Sequence, residues 1–209
     1  MDLRAVMFDF GGVISTSPFE AFAHLEVERG LPAGFIRAVN ATNPDDNAWA
    51  RLERSEIGLD AFAEMWAEEA GALGHDLDGR LVLERLAGEI RPRMVSAIES
   101  CGKGGYKTAC LTNNFLSEER AISPDVARVY ELFDAVLESR VLGVRKPDPR
   151  FYELACEALA VMPEESVFLD DLGVNLKPAR ALGIHTIKVT DPDDALDELG
   201  SLLGLSFAT

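Results

Sequence analysis

The sequence predicts an α/β fold: a parallel sheet with helices on both faces and a helical insertion near the amino terminus. Three observations carry this. Strand-like apolar runs recur along the 209 residues. Helical patterns separate them, and alternating β and α segments are the signature of a parallel sheet. Residues 16–88 break the alternation, because no convincing strand lies among them.

The first strand is Leu3–Phe8, an apolar run closed by Gly11-Gly12. Asp9 therefore stands at the carboxyl end of a strand, beside glycines that let backbone approach a ligand. Five helices are expected next, at Phe19–Arg29, Ala33–Val39, Asn47–Arg54, Asp60–Ala70 and Gly79–Leu86. Phe62, Met65 and Trp66 fall on one helix face. Trp49 and Trp66 read as the core of this insertion. The remaining strands are expected at Tyr106–Leu111, Ala135–Leu137, Ser166–Leu169 and Thr186–Val189. Helices at about 92–101, 149–160, 175–182 and 192–203 alternate with them. Asp148 suits an N-cap, with Pro149 in the first turn. Pro178 falls early in its helix, where a missing N–H costs little. The insertion reads as a helical cap at 16–88, over a core made of 1–15 and 89–209.

Hydrophobic content of 47% and charged content of 27% are those of an ordinary globular protein. The net charge of −16 argues against nucleic acid or an anionic membrane as partner. A phosphate pocket in such a chain must build its own local positive field. Cys101, Cys110 and Cys156 form neither a metal spacing nor an even framework, which points to a reducing, cytoplasmic setting. Cys110 lies in an apolar run and reads as core. The amino terminus has no signal-peptide pattern. No run reaches the roughly 18 apolar residues of a membrane span.

Four segments fall at the carboxyl ends of expected strands: Asp9 with Gly11-Gly12, Thr112-Asn113-Asn114, Arg145-Lys146-Pro147, and Asp170-Asp171. In a parallel sheet these ends share one edge, where ligands bind. They would bring together three carboxylates, a hydroxyl, an ammonium and several loop N–H groups. That set suits phosphoryl transfer onto a carboxylate. Asp9 can attack phosphorus once charge is neutralised. Mg2+ favours a few carboxylates plus phosphate oxygen and water. Lys146 adds a compact positive charge. Thr112 and loop N–H groups at Gly11, Gly12, Asn113 and Asn114 offer donors to phosphoryl oxygens. Adjacent Asp170 and Asp171 repel each other unless a cation sits between them.

These four segments, in this order, resemble the motifs of the haloacid dehalogenase superfamily across essentially the whole chain. The resemblance implies a Rossmann-like core, a cap between the first two motifs, and Mg2+-dependent hydrolysis of a small phosphorylated metabolite. It implies Asp9 as nucleophile, Thr112 and Lys146 as catalytic partners, and Asp9, the Gly11 carbonyl, Asp170 and Asp171 around the metal. Leu52-Glu53-Arg54-Ser55-Glu56-Ile57 and Arg145-Lys146-Pro147-Asp148-Pro149 look closest to the subgroup of the soluble epoxide hydrolase phosphatase domain and the hydrolase fused to acyl-CoA dehydrogenases.

The family's phosphatases usually carry Asp two places after the nucleophile, as general acid and base. This chain has Gly11 there. General acid–base help is typically worth about 10²–10⁴-fold. Glu53, Asp45, Asp46 and His24 of the insertion are candidate replacements, while His75 and His185 read as surface or loop residues. Two further readings stay open: a metal-independent dehalogenase-like hydrolase, and a catalytically weak domain that binds a phosphorylated ligand.

Overall fold

The computed structural model describes residues 2–85, 88–114 and 123–207. Among the described residues, five strands form one sheet: β1 (Ala5–Phe8), β2 (Lys107–Thr112), β3 (Ala135–Glu138), β4 (Ser166–Asp170) and β5 (His185–Lys188). Their order is β3-β2-β1-β4-β5, and every pair is parallel. Phe8 stands level with Cys110 on β2 and Leu169 on β4, so the strands end together on one edge.

Strand β1 is central and buried throughout, as its unbroken apolar run requires. Its side chains alternate between two cores. Val6 and Phe8 pack with Met94 and Ile98 of α6 (Pro92–Lys103) and Leu196 and Leu199 of α11 (Pro192–Leu203). Ala5 and Met7 pack with Phe151 and Tyr152 of α9 (Pro149–Leu159) and Leu176 of α10 (Gly173–Ala181). Each large side chain removed from water in this way contributes about 1.5–3 kcal/mol.

A third core joins α1 (Pro18–Arg29), α2 (Phe35–Ala41), α3 (Ala48–Glu53), α4 (Leu59–Ala72) and α5 (Gly79–Glu84). Trp66 is fully buried at its centre and donates to Asn40 Oδ1 at 2.8 Å. Trp49 is half-buried at its margin, edge-on to Phe62. The chain leaves the sheet and returns to it side by side. Thr16 N donates to Glu89 O at 2.8 Å, and Arg91 N to Ile14 O at 2.8 Å.

Some boundaries differ from the sequence expectation. Helix α5 ends at Glu84, and Leu86 lies outside the described residues. Helix α10 starts at Gly173, because the Leu172 carbonyl already accepts from Asn175 N and Leu176 N. Pro178 is thus inside the helix rather than in its first turn. The carbonyl it leaves unpaired belongs to Val174, an exposed residue. Two short helices were not anticipated: α7 (Pro124–Tyr130) and α8 (Ser139–Leu142). Each buries one residue, Val129 or Ser139, so neither shows an apolar period. No helix among the described residues is long and apolar enough to cross a membrane.

Candidate active site

The site stands on the edge where the strands end. Asp9 follows β1 in extended conformation, and its N–H continues the sheet by donating to Leu169 O at 2.9 Å. Ser15 N donates back to Phe10 O at 2.9 Å and closes the next five residues into one tight turn. Asp9 Oδ1 accepts from Phe10 N at 2.6 Å and contacts Lys146 Nζ at 2.7 Å. Asp9 Oδ2 has no hydrogen-bond partner among the described residues. One oxygen is held and the other is left available.

Lys146 is 1% exposed. Its Nζ also donates to Asp170 Oδ2 at 2.9 Å and lies 5.3 Å from the centre of the Phe168 ring. The loop around Lys146 lies outside the sheet, yet its backbone is clasped by a single side chain. Lys146 N donates to Asn113 Oδ1 at 2.9 Å, and Asn113 Nδ2 donates to Lys146 O at 3.0 Å.

Asp170 is the last residue of β4 and is fully buried. Besides Lys146, it accepts from Leu172 N at 2.8 Å and from Asn175 Nδ2 at 3.1 and 3.0 Å. Tyr152 Oη donates to Asn175 O at 2.7 Å and anchors that residue in turn. Asp171 is only half-buried and lies against Gly12. Asp9, Asp170 and Asp171 each offer a carboxylate oxygen, all within 4.8 Å of one another.

The electrostatics follow from burial. Desolvation raises the Asp9 pKa well above the usual carboxylate range, Lys146 pulls it back, and the Asp170 charge raises it again. Asp171 is pushed up to about 6, by burial first and then by the Asp170 charge. Burial alone would lower the Lys146 pKa, but Asp170 and Asp9 outweigh it and hold the ammonium protonated. Asp9 and Asp170 thus share one ammonium, with a third carboxylate, Asp171, beside them. A hard divalent cation with oxygen ligands suits this donor set.

Thr112 is buried at the end of β2, level with Glu138 on β3. Asn113 is the residue that clasps Lys146. The Asn114 side chain is committed elsewhere, since its Nδ2 donates to Glu138 Oε2 and its Oδ1 accepts from Arg140 N. Gly12 has φ +79°. Gly11 is extended, with φ −72° and ψ 128°.

Of the four side chains proposed to replace an acid at Gly11, Glu53 is the one that reaches the core loops. It is 6% exposed. Its Oε1 accepts from Trp49 Nε1 at 3.0 Å, and its Oε2 meets Arg145 Nε at 2.5 Å and Asn113 Nδ2 at 3.4 Å. Burial raises its pKa, against Arg145. Asp46 pairs with Arg51, while Asp45 and His24 are exposed. His75 meets Phe35 edge-on, and His185 is half-buried in β5.

Sequence reasoning assigned no role to Asn175, Arg145 or Arg37. Asn175 stands in the first turn of α10 after the acidic pair, a spacing that could have flagged it. Arg37 is an exposed residue of α2 whose guanidinium lies 5.1 Å from the Phe19 ring centre. Its charge reaches Asp171 and lowers that pKa. No local pattern marks either arginine.

Comparison with known proteins agrees with this architecture. The mouse acyl-CoA dehydrogenase family member 10 is 38% identical over 208 residues, covering 96% of this chain and 19% of that protein. The pig bifunctional epoxide hydrolase 2 is 34% identical, covering 98% of this chain and 40% of that protein. This chain therefore spans under half the length of either. A Mycobacterium tuberculosis protein named phosphatase MT3486 is 31% identical over 90% of this chain and 88% of its own length. Among solved structures, a magnesium complex of a HAD family enzyme from Bacteroides thetaiotaomicron shares the fold, with TM-score 0.60 and 19% identity over 90% of this chain and 93% of that one. A family model described as haloacid dehalogenase-like hydrolase matches residues 3–183. The chain belongs to the haloacid dehalogenase-like hydrolase family, and it is an enzyme.

Proposed function

We propose that this hydrolase is a Mg2+-dependent phosphatase that acts on a small phosphorylated metabolite. One observation carries the reading: three carboxylates lie within 4.8 Å of one another, two of them paired with one buried lysine. A phosphate ester brings more negative charge to a site that already has an excess. It binds only where cations outweigh the carboxylates. The identity with the mycobacterial phosphatase along most of both chains supports the same reading.

Asp9 is the nucleophile. Phe10 N and Lys146 fix Oδ1, which leaves Oδ2 to attack phosphorus. The ester P–O bond breaks, the alkoxide or phenolate departs and an aspartyl-phosphate forms. Water then cleaves that acyl phosphate, which releases phosphate and regenerates Asp9. Asp9, Asp170, Asp171 and the Gly11 carbonyl would hold Mg2+. When bound, the ion neutralises carboxylate and phosphate charge, so that two anions can meet. Lys146 steadies the phosphoryl oxygens and Asp9 together. Thr112 and the N–H groups of Gly12 and Asn113 complete the phosphate cradle. The helices from 16 to 88 act as a cap over this edge and choose the substrate. Three buried free cysteines suit a reducing compartment, the cytoplasm.

The test is phosphate release from a panel of phosphorylated metabolites and p-nitrophenyl phosphate, with Mg2+ and with excess chelator. Release with Mg2+, its loss in chelator and its loss in Asp9→Asn support the reading. Chloride release from 2-chloropropionate in chelator, without phosphatase activity, would replace it with dehalogenation.

A further inference from the structure

Lys146 aligns the carboxylates, yet its own backbone depends on contacts that begin in the helical segment. Its N–H and C=O are both bound by the Asn113 amide, at 2.9 and 3.0 Å. Such a clasp works in one orientation of that amide. Flipped, Asn113 would set its oxygen against the Lys146 carbonyl and its NH2 against the Lys146 N–H.

Glu53 selects the working orientation. Its Oε2 lies 3.4 Å from Asn113 Nδ2, on the donor side. A flipped amide would place oxygen against a carboxylate in a buried setting, where repulsion is weakly screened. The same Oε2 lies 2.5 Å from Arg145 Nε, and Arg145 precedes Lys146 in the chain. Arg145 also donates to Pro44 O, in the loop before α3. Trp49 Nε1, one turn earlier in α3, holds the other Glu53 oxygen at 3.0 Å. A carboxylate carried by α3 thus secures both residue 145 and, through Asn113, residue 146.

Resting on the phosphatase reading, we propose that Glu53 is a positioning residue: it couples the seating of the helical segment on the core to the alignment of Lys146 with Asp9. With α3 seated, the Asn113 clasp is locked and Lys146 Nζ stands 2.7 Å from Asp9 Oδ1. With α3 lifted, Arg145 loses its partner and the clasp loses its lock. The catalytic lysine is then fully aligned only when the helical segment is closed on the core. Glu53 stays out of the proton transfers, because both of its oxygens are occupied.

The test uses the full chain in Mg2+ with p-nitrophenyl phosphate. Misplacement of a group by about 1 Å can cost on the order of 10²-fold. Glu53→Ala should lower kcat by about 10–100-fold, with little change in KM. Glu53→Gln should recover much of the loss, because its amide oxygen can still accept from Asn113. Combining Glu53→Ala with Asn113→Ala should cost no more than Asn113→Ala alone, since both act on one clasp. Independent effects that multiply would overturn the proposal, as would unchanged kcat in Glu53→Ala.

A readout free of turnover separates this from the phosphatase reading. Acetic anhydride labelling, read by mass spectrometry, should modify Lys146 faster in Glu53→Ala and leave Lys107 and Lys188 unchanged. If the unaltered protein released no phosphate while Lys146 labelling rose as stated, the coupling would stand and the phosphatase reading would fall. Unchanged Lys146 labelling would remove the coupling itself.

Discussion

Gly12 and Asp171 leave no room for a side chain between them: a Cβ on residue 12 would fall 2.3 Å from Asp171 Oδ2. Gly12 also has φ +79°, a left-handed backbone. Gly11, its neighbour, is extended, and a Cβ there would meet no atom within 4 Å. The two glycines answer different demands. Gly12→Ala should cost about 1–2 kcal/mol from the backbone, plus the displacement of Asp171. Gly11→Ala should be neutral or stabilising by about 0.4–1 kcal/mol. Urea unfolding of both variants checks this, and equal losses would contradict the contrast.

The open space at Gly11 bears on the leaving group. With no carboxylic acid there, an alkoxide departs without its usual proton. Under the phosphatase reading, kcat/KM should fall steeply as leaving-group pKa rises. Acyl phosphates and p-nitrophenyl phosphate should outrun simple alkyl phosphates. Gly11→Asp should flatten the slope, since the backbone tolerates the side chain, and Gly11→Asn should not. A flat slope in the unaltered protein would reveal another proton donor.

The carboxylate cluster should respond to metal. Mg2+ binding only the folded state raises the melting temperature, by about 2.7 kcal/mol of stability at 100 times Kd. Asp171→Asn should shrink that shift and raise the Mg2+ needed for turnover. A shift of unchanged size in Asp171→Asn would remove Asp171 from the ion.

Glu53 gives a signed pH dependence. Burial raises its folded pKa above the ordinary 4.5, against Arg145, Trp49 and Lys146. The folded state therefore holds the proton more tightly. The stability this contributes is present below about 4.5 and is lost as pH rises through the folded value. Glu53→Gln has no such loss. Its melting temperature relative to the unaltered protein should rise between pH 4.5 and 7.5. A relative fall would show that the Arg145 pair outweighs desolvation.

Much of this architecture is legible in the chain itself. Apolar runs alternating with helical patterns dictate a parallel sheet, and a parallel sheet brings the strand ends to one edge. Asp9, Asp170 and Asp171 meet there as a consequence of order along the chain. Lys146, expected at a strand end, instead lies beyond β3 and α8, and the Asn113 amide holds it in place. The long strand-free stretch after Asp9 likewise announces a helical segment with its own apolar core. Helices α7 and α8 escaped because each buries a single residue and so leaves no period to read.

What the tertiary structure alone decided is how the side chains pair. Asn113 clasps Lys146 while Asn114 turns to Glu138, although the two are neighbours of one type. Glu53 meets Arg145 across a gap in sequence that no local pattern spans. Gly11 is extended and Gly12 left-handed, although they are identical and adjacent. Sequence periodicity reports which face of an element is buried, because burial is averaged over many residues. A hydrogen bond or an ion pair depends on a few tenths of an ångström between two particular atoms, and packing of the finished fold sets that distance.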